Sequence, residues 1–127
     1  MSKDLSRWRL EKAENTFREG EELLGLGLYS GAINRFYYAA FHAVRALLAT
    51  KQLDSPKHSG VISLFNREFV KPGLISKETG KILTATFSQR SEADYEDFAA
   101  FTREDVENTS YGVRKLIDEV AAFLKRP

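Results

Sequence analysis

The 127-residue sequence contains no cysteine. That absence excludes disulfide bonds, thiolate metal sites and a cysteine nucleophile. The sequence also has only two histidines, His42 and His58, and a zinc site would need both of them together with carboxylates. Their spacing along the chain does not support such a site. We therefore expect neither a bound metal nor a cofactor.

Long apolar runs are also missing. No stretch approaches the ~18 consecutive apolar residues that a membrane-spanning helix requires, and the first residues, MSKDLSRWRLEKAENTF, are charged throughout. A signal peptide would instead place an apolar segment after a short basic one. We expect a protein that is neither exported nor inserted in a membrane. A reducing cytoplasm fits a chain without cysteine.

Neither sign of charge is in large excess. The chain has 19 Lys and Arg against 18 Asp and Glu, a net charge of +1, which argues against a strong nucleic-acid binder held by phosphate neutralisation alone. The charges are nevertheless uneven, because residues 92–107 carry seven acids and one arginine and leave the rest of the chain at +7. Such asymmetry can orient a partner or a second copy. The simpler interpretation is that these acids favour helix ends.

The pattern that is present is helical. Apolar residues recur at helical spacing from Asp4 to about Leu24, and again from near Ser30 to about Lys51. The segment QLDSPKHSG has turn composition. A short third helix follows it and ends at the sequence KPG.

The second half of the chain carries two helix-start signals. Ser76 can cap a fourth helix that runs to roughly Asp97, and the sequence TRED at residues 102–105 resembles a capping box that opens a fifth. No alternation of apolar and polar residues is long enough for a sheet. The sequence therefore predicts one all-α domain over residues 1–127, an antiparallel up-and-down bundle of about five helices.

The second predicted helix has two unusual sides. One is a full apolar stripe, and the opposite side combines small alanines with polar groups, namely Arg35, Tyr38, Ala39, His42, Ala46 and Ala49. Small residues allow close approach of another backbone, so this side suits a second packed surface. Three interpretations are open: Arg35 and His42 bond groups of a neighbouring helix, they contact a second copy, or they take part in catalysis.

Three sequence blocks, LYSGAINRFYYAAFHAVRALL, KHSGVISLFNREFV and RSEADYEDF, occur in this order. Together they resemble the HEPN domain, the small helical domain of prokaryotic toxin–antitoxin and nucleotide-linked defence systems. The resemblance implies a five-helix bundle that dimerises. In active members it implies a metal-independent ribonuclease, whose Arg and His lie on a late helix with four to six residues between them and meet in a cleft between two protomers. It also implies a minimal nucleotidyltransferase as partner.

The resemblance assigns candidate site residues. Arg90 matches the family arginine, but Tyr95 follows it after four residues where a histidine is expected, so Asp94 and Tyr95 are the substitutes. Arg90 and His42 are accordingly the candidate catalytic pair. Arg35, Tyr38, Asp94 and Tyr95 are candidate residues of the cleft or ligand site. The alternatives are that Arg90 and Asp94 form an ordinary exposed helix pair, that Tyr95 is a packing residue, and that His58 only helps to start a helix.

Two functions remain open at this point. The first is a homodimeric HEPN-like module that binds a nucleotide, RNA or a nucleotidyltransferase partner without strong catalysis, and the missing late-helix histidine favours it. The second is a metal-independent ribonuclease toxin with an altered site. Histidine serves proton transfer in both directions near neutral pH, whereas tyrosine and an exposed aspartate do so poorly.

Overall fold

The computed structural model describes residues 2–95 and 100–126. This part of the chain forms five α-helices and no strand: α1 (Ser2–Gly25), α2 (Tyr29–Thr50), α3 (His58–Phe65), α4 (Lys77–Tyr95) and α5 (Arg103–Leu124), with a π-helical turn at Asn66–Val70 that continues α3. The predicted all-α bundle is confirmed. The predicted end of the fourth helix near Asp97 lies outside the described residues.

The helix starts follow the capping chemistry of the sequence. Ser76 Oγ accepts a hydrogen bond of 3.2 Å from the Thr79 N–H at the start of α4. At α5 the Asp105 N–H donates to Thr102 Oγ1 over 3.1 Å, and the Thr102 N–H donates to Asp105 Oδ2 over 2.9 Å. Two backbone N–H groups at the start of α5 thereby gain acceptors, and the predicted capping box is confirmed.

Helix α2 is the centre of the bundle and packs against α1, α3, α4 and α5. Its alanine side is covered within the chain, because Ala39, Ala46 and Ala49 are all buried. Helix α1 lies along it, where Ser6 Oγ donates a 2.8 Å hydrogen bond to the Ala46 carbonyl. The second packed surface predicted for this side is therefore α1 of the same chain, and the alanines themselves are not free to contact a partner.

A buried arginine ties α1 to the segment that follows α2. Arg9 donates to the Arg45 carbonyl over 3.1 Å and lies 3.4 Å from Asp54 Oδ2. Arg45 also pairs with Asp54, at 2.8 Å. These bonds satisfy a charge that would be costly to bury alone, and they fix the loop that leads into α3. No helix in the described ranges is both long enough and apolar enough to cross a membrane.

Candidate functional site

The candidate arginine, Arg90, lies in the last two turns of α4 and reaches α2. Its Nη2 donates a 3.1 Å hydrogen bond to the Tyr38 hydroxyl, and its Nε lies 2.8 Å from Asp94 Oδ2. The Nε–H does not point at that oxygen, so this second contact is an ion pair without a hydrogen bond. Nε is buried and has no hydrogen-bond acceptor among the described residues.

Two tyrosine rings on α2 lie beside the guanidinium. The Arg90 Cζ is 5.4 Å from the centre of the Tyr38 ring and 5.9 Å from that of Tyr37, within the range of a cation–π contact. The side chains of Arg90 and Asp94 are only 19% and 28% exposed. The pair is therefore partly buried and anchored to a second helix, unlike an ordinary exposed pair on one helix.

A histidine that the sequence analysis assigned to a helix start lies against the same tyrosines. His58 Nδ1 is 2.9 Å from the Tyr37 hydroxyl. The imidazole stacks on Phe41 with 4.4 Å between ring centres and meets the Tyr38 ring edge-on at 5.7 Å. His58 caps nothing, because the N-cap residue of α3 is Lys57 and no side chain bonds there. No spacing in the sequence connects it with Tyr37, 21 residues away.

Burial and charge set the protonation of this cluster. Burial, followed by the nearby Arg90 charge, lowers the pKa of His58 below its ordinary value. Burial raises the pKa of Tyr37 well above its ordinary value, and this effect exceeds the opposite influence of Arg90. At neutral pH the cluster therefore holds a neutral imidazole and a protonated phenol.

His42, the histidine that the sequence predicts as a site residue, has a different environment. It is half-buried, its ring centre lies 6.2 Å from that of Tyr38, and it forms no hydrogen bond with any described residue. Burial lowers its pKa to about 4, and the charges of Lys12, Arg45, Arg9 and Arg35 act in the same direction. His42 is therefore neutral at physiological pH and lies among cations.

The remaining candidates are less closely grouped. Arg35 is exposed and pairs with Glu19 of α1 at 3.7 Å. This is the first of the three interpretations given above, a contact with a neighbouring helix. The side chain of Tyr95 lies outside the described residues. The structure thus brings Arg90, Tyr38 and Asp94 together, places the His42 ring 6.2 Å from that of Tyr38, and pairs Arg35 with Glu19 of α1.

An open cavity of about 470 Å³ borders this cluster. Its walls are formed by the end of α2 and the loop into α3, and its lining residues are Phe41, Arg45, Asp54, Ser55, Pro56 and His58. The described residues contain no group of three or more histidines and carboxylates that could hold a metal ion.

Comparison with known proteins gives consistent results. The HEPN domain family matches residues 6–123. A UPF0332 protein of Thermotoga maritima is 38% identical over 127 residues, covering 98% of this chain and 96% of that protein. A Methanocaldococcus jannaschii protein bearing the name "Putative toxin MJ0605" is 37% identical over 116 residues, 91% of this chain and 86% of that protein.

A solved structure supports the fold. The crystal structure of TT1696 from Thermus thermophilus superposes with a TM-score of 0.79 at 19% sequence identity, covering 93% of this chain and 97% of that one. At this identity the likeness concerns the fold alone. The family match spans nearly the whole bundle, including α2, α3 and α4, which supply the Arg90 cluster. The chain therefore belongs to the HEPN domain family.

Proposed function

We propose that the chain is the HEPN component of a toxin–antitoxin-type system and acts as a homodimeric module that binds a phosphate-bearing ligand, a nucleotide or RNA, at Arg90. The assignment to a toxin–antitoxin-type system is supported by the HEPN family match and by the toxin name of a relative. A minimal nucleotidyltransferase is the partner that the family resemblance implies. The site geometry supports the binding role.

The observation that carries the proposal is the way Arg90 is held. The Tyr38 hydroxyl, the Asp94 carboxylate and two tyrosine rings fix a guanidinium that still has unused donors. A pre-positioned guanidinium binds phosphate oxygens well, because its planar donors match their geometry. Such a group loses little conformational entropy when the ligand arrives.

The surroundings favour a polyanion. The positive charges of Lys12, Arg45, Arg9 and Arg35 all act on His42, whose ring lies 6.2 Å from that of Tyr38. Lys12 lies 5.1 Å from the centre of the Trp8 ring, and Trp8 is largely exposed. A cation beside an exposed aromatic ring is a combination that binds single-stranded nucleic acid through phosphate attraction and base stacking.

The positions and the protonation of the histidines favour binding over cleavage. A ribonuclease without a metal needs a group that both accepts and donates protons near neutral pH. The late helix has no histidine where the family has one, since Tyr95 stands there. His42, with a pKa lowered to about 4, is a poor proton donor at neutral pH. One observation favours the ribonuclease alternative: His58 contacts the tyrosines that hold Arg90.

The test is fluorescence anisotropy with labelled single-stranded RNA. Arg90→Ala should weaken binding about 10-fold to 100-fold, because a hydrogen bond to a charged group contributes about 1.5–3 kcal/mol. Arg67→Ala is the matched control, because Arg67 is exposed and its ion-pair partner among the described residues is the adjacent Glu68. Equal affinities of the wild type and Arg90→Ala, with both proteins folded by circular dichroism, would overturn the proposal.

A further inference from the structure

The hydroxyl of Tyr37 determines which nitrogen of His58 carries the proton. Tyr37 is fully buried, and His58 Nδ1 is its hydroxyl's hydrogen-bond partner within the described residues. If Nδ1 donated, the buried phenolic O–H would have no acceptor, at a cost of about 1–3 kcal/mol. The phenol therefore donates to Nδ1. The proton of the neutral imidazole is then on Nε2, on the other side of the ring.

The same tyrosine pair fixes His58 relative to Arg90. Tyr37 and Tyr38 are adjacent on α2, and their rings meet edge-on at 5.2 Å. Tyr38 accepts from Arg90 and Tyr37 donates to His58. Both polar groups are thus anchored to one rigid stretch of the central helix, although they come from α4 and α3. Phe41 supports the imidazole from one face.

His58 is also reachable from outside. It is half-buried and forms part of the wall of the 470 Å³ cavity, which lies in the size range of small-molecule sites. Arg45 lines the same cavity but is already engaged by Asp54 through both Nε and Nη2. His58 and Arg90 lie against the same tyrosine, because the imidazole centre is 5.7 Å and the Arg90 Cζ is 5.4 Å from the centre of the Tyr38 ring.

We propose that His58 and Arg90 form a two-donor phosphate site, in which the Nε2–H of His58 and the guanidinium of Arg90 bind oxygens of the same phosphate group. This inference rests on the proposed function and adds a residue to it that the HEPN resemblance does not supply. The phosphate can belong to a nucleotide or to the backbone of an RNA. His58 is here a binding residue, and Tyr37 is a positioning residue.

The decisive variants distinguish loss of the Nε2–H donor of His58 from loss of the packing of its ring. Asn at position 58 keeps an acceptor for the Tyr37 hydroxyl but has no group in the place of Nε2. Gln carries its amide N–H₂ further out, near the Nε2 position. His58→Asn should therefore weaken binding about 10-fold to 100-fold, as expected for loss of a hydrogen bond to a charged group, and His58→Gln should restore part of it. Arg67→Ala, at an exposed residue that pairs with Glu68, is again the control and should bind like the wild type.

The probes are AMP and a single-stranded oligoribonucleotide without terminal phosphates, each titrated into the full chain and followed by anisotropy or calorimetry. A loss with AMP alone identifies a phosphate monoester, and a loss with the oligonucleotide alone identifies the RNA backbone. If Arg90→Ala weakens binding and His58→Asn does not, this inference fails while the proposed function stands. If the wild type binds neither probe, both are overturned.

A nitrogen NMR spectrum of the histidine rings gives an independent readout. The wild type should show the Nε2–H tautomer of His58, and Tyr37→Phe should give a mixture of the two tautomers, because the donor to Nδ1 is lost. Addition of the bound probe should shift the Nε2 resonance of His58. An Nδ1–H tautomer in the wild type, or an unmoved Nε2 resonance at saturation, would refute the inference.

Discussion

Gly20 of α1 lies against Phe36 of α2, and a single methyl group there tests the packing of the bundle. A Cβ at this buried position would lie 2.7 Å and 2.8 Å from Cε1 and Cδ1 of Phe36, well inside van der Waals contact. Phe36 cannot easily retreat, because it is fully buried and packs against the Phe17 ring with 5.2 Å between centres. Gly20→Ala must therefore displace either the ring or the helix.

The size of the effect follows from two opposing contributions. Replacing glycine by alanine inside a helix stabilises by about 1 kcal/mol, whereas forcing extra atoms into a packed core costs about 1–3 kcal/mol. The two contributions together give a net loss of about 0–2 kcal/mol. We expect Gly20→Ala to fall in the upper half of this range, because the overlap involves fully buried atoms. Gly25→Ala is the matched control in the same helix, since its Cβ would have no neighbour within 4 Å.

The assay is urea unfolding followed by far-UV circular dichroism. Gly20→Ala should lower the urea midpoint with an unchanged slope, and Gly25→Ala should leave it unchanged or raise it. Shortening Phe36 to leucine in the Gly20→Ala background should recover part of the loss. If Gly20→Ala stabilises the chain as much as Gly25→Ala does, α1 does not pack on Phe36 of α2 as described.

Three further results are expected. Tyr38→Phe should cost about 1–2 kcal/mol in urea unfolding and weaken RNA binding, since Arg90 Nη2 loses its acceptor; an unchanged protein would show that Arg90 is held by Asp94 alone. The hydrogen bond from Arg45 lowers the pKa of Asp54, so Asp54→Asn should lower the free energy of unfolding at pH 7. This difference from the wild type should vanish as the pH falls through the folded-state pKa of Asp54, which is below the ordinary value of about 4. A difference that does not change with pH would exclude this linkage. Light scattering at micromolar concentration should give about twice 14.4 kDa; a clean monomer would contradict the homodimer.

The features that the sequence predicted well are those encoded by neighbouring residues. Apolar spacing located the helices, and the Thr102–Asp105 capping box formed as expected because its partners are three residues apart. The third helix was predicted as one short element, but it ends at Phe65 and continues as a π-helical turn. That change of winding has no clear local signal.

The features that the sequence did not predict depend on which surfaces meet. The alanines of α2 indicated a close contact with another backbone. Periodicity does not show whether that backbone is another helix of the same chain or a second copy. In the structure it is α1 of the same chain. The contacts of His58 were not predicted, because its partners, Tyr37, Tyr38 and Phe41, come from a different helix. Arg90 was found only because the family resemblance marked it.

The most direct test of the central claim, that Arg90 serves binding and not strong catalysis, is a cleavage assay with EDTA present. The wild type, Arg90→Ala, His42→Ala and His58→Asn are incubated with single-stranded RNA under conditions in which the wild type is shown to bind it. Loss of a proton-transferring group usually lowers a rate about 10²-fold to 10⁴-fold, so the account predicts bound RNA with weak or no cleavage. Robust cleavage by the wild type that disappears in Arg90→Ala and in either histidine variant would contradict it and make the chain a ribonuclease.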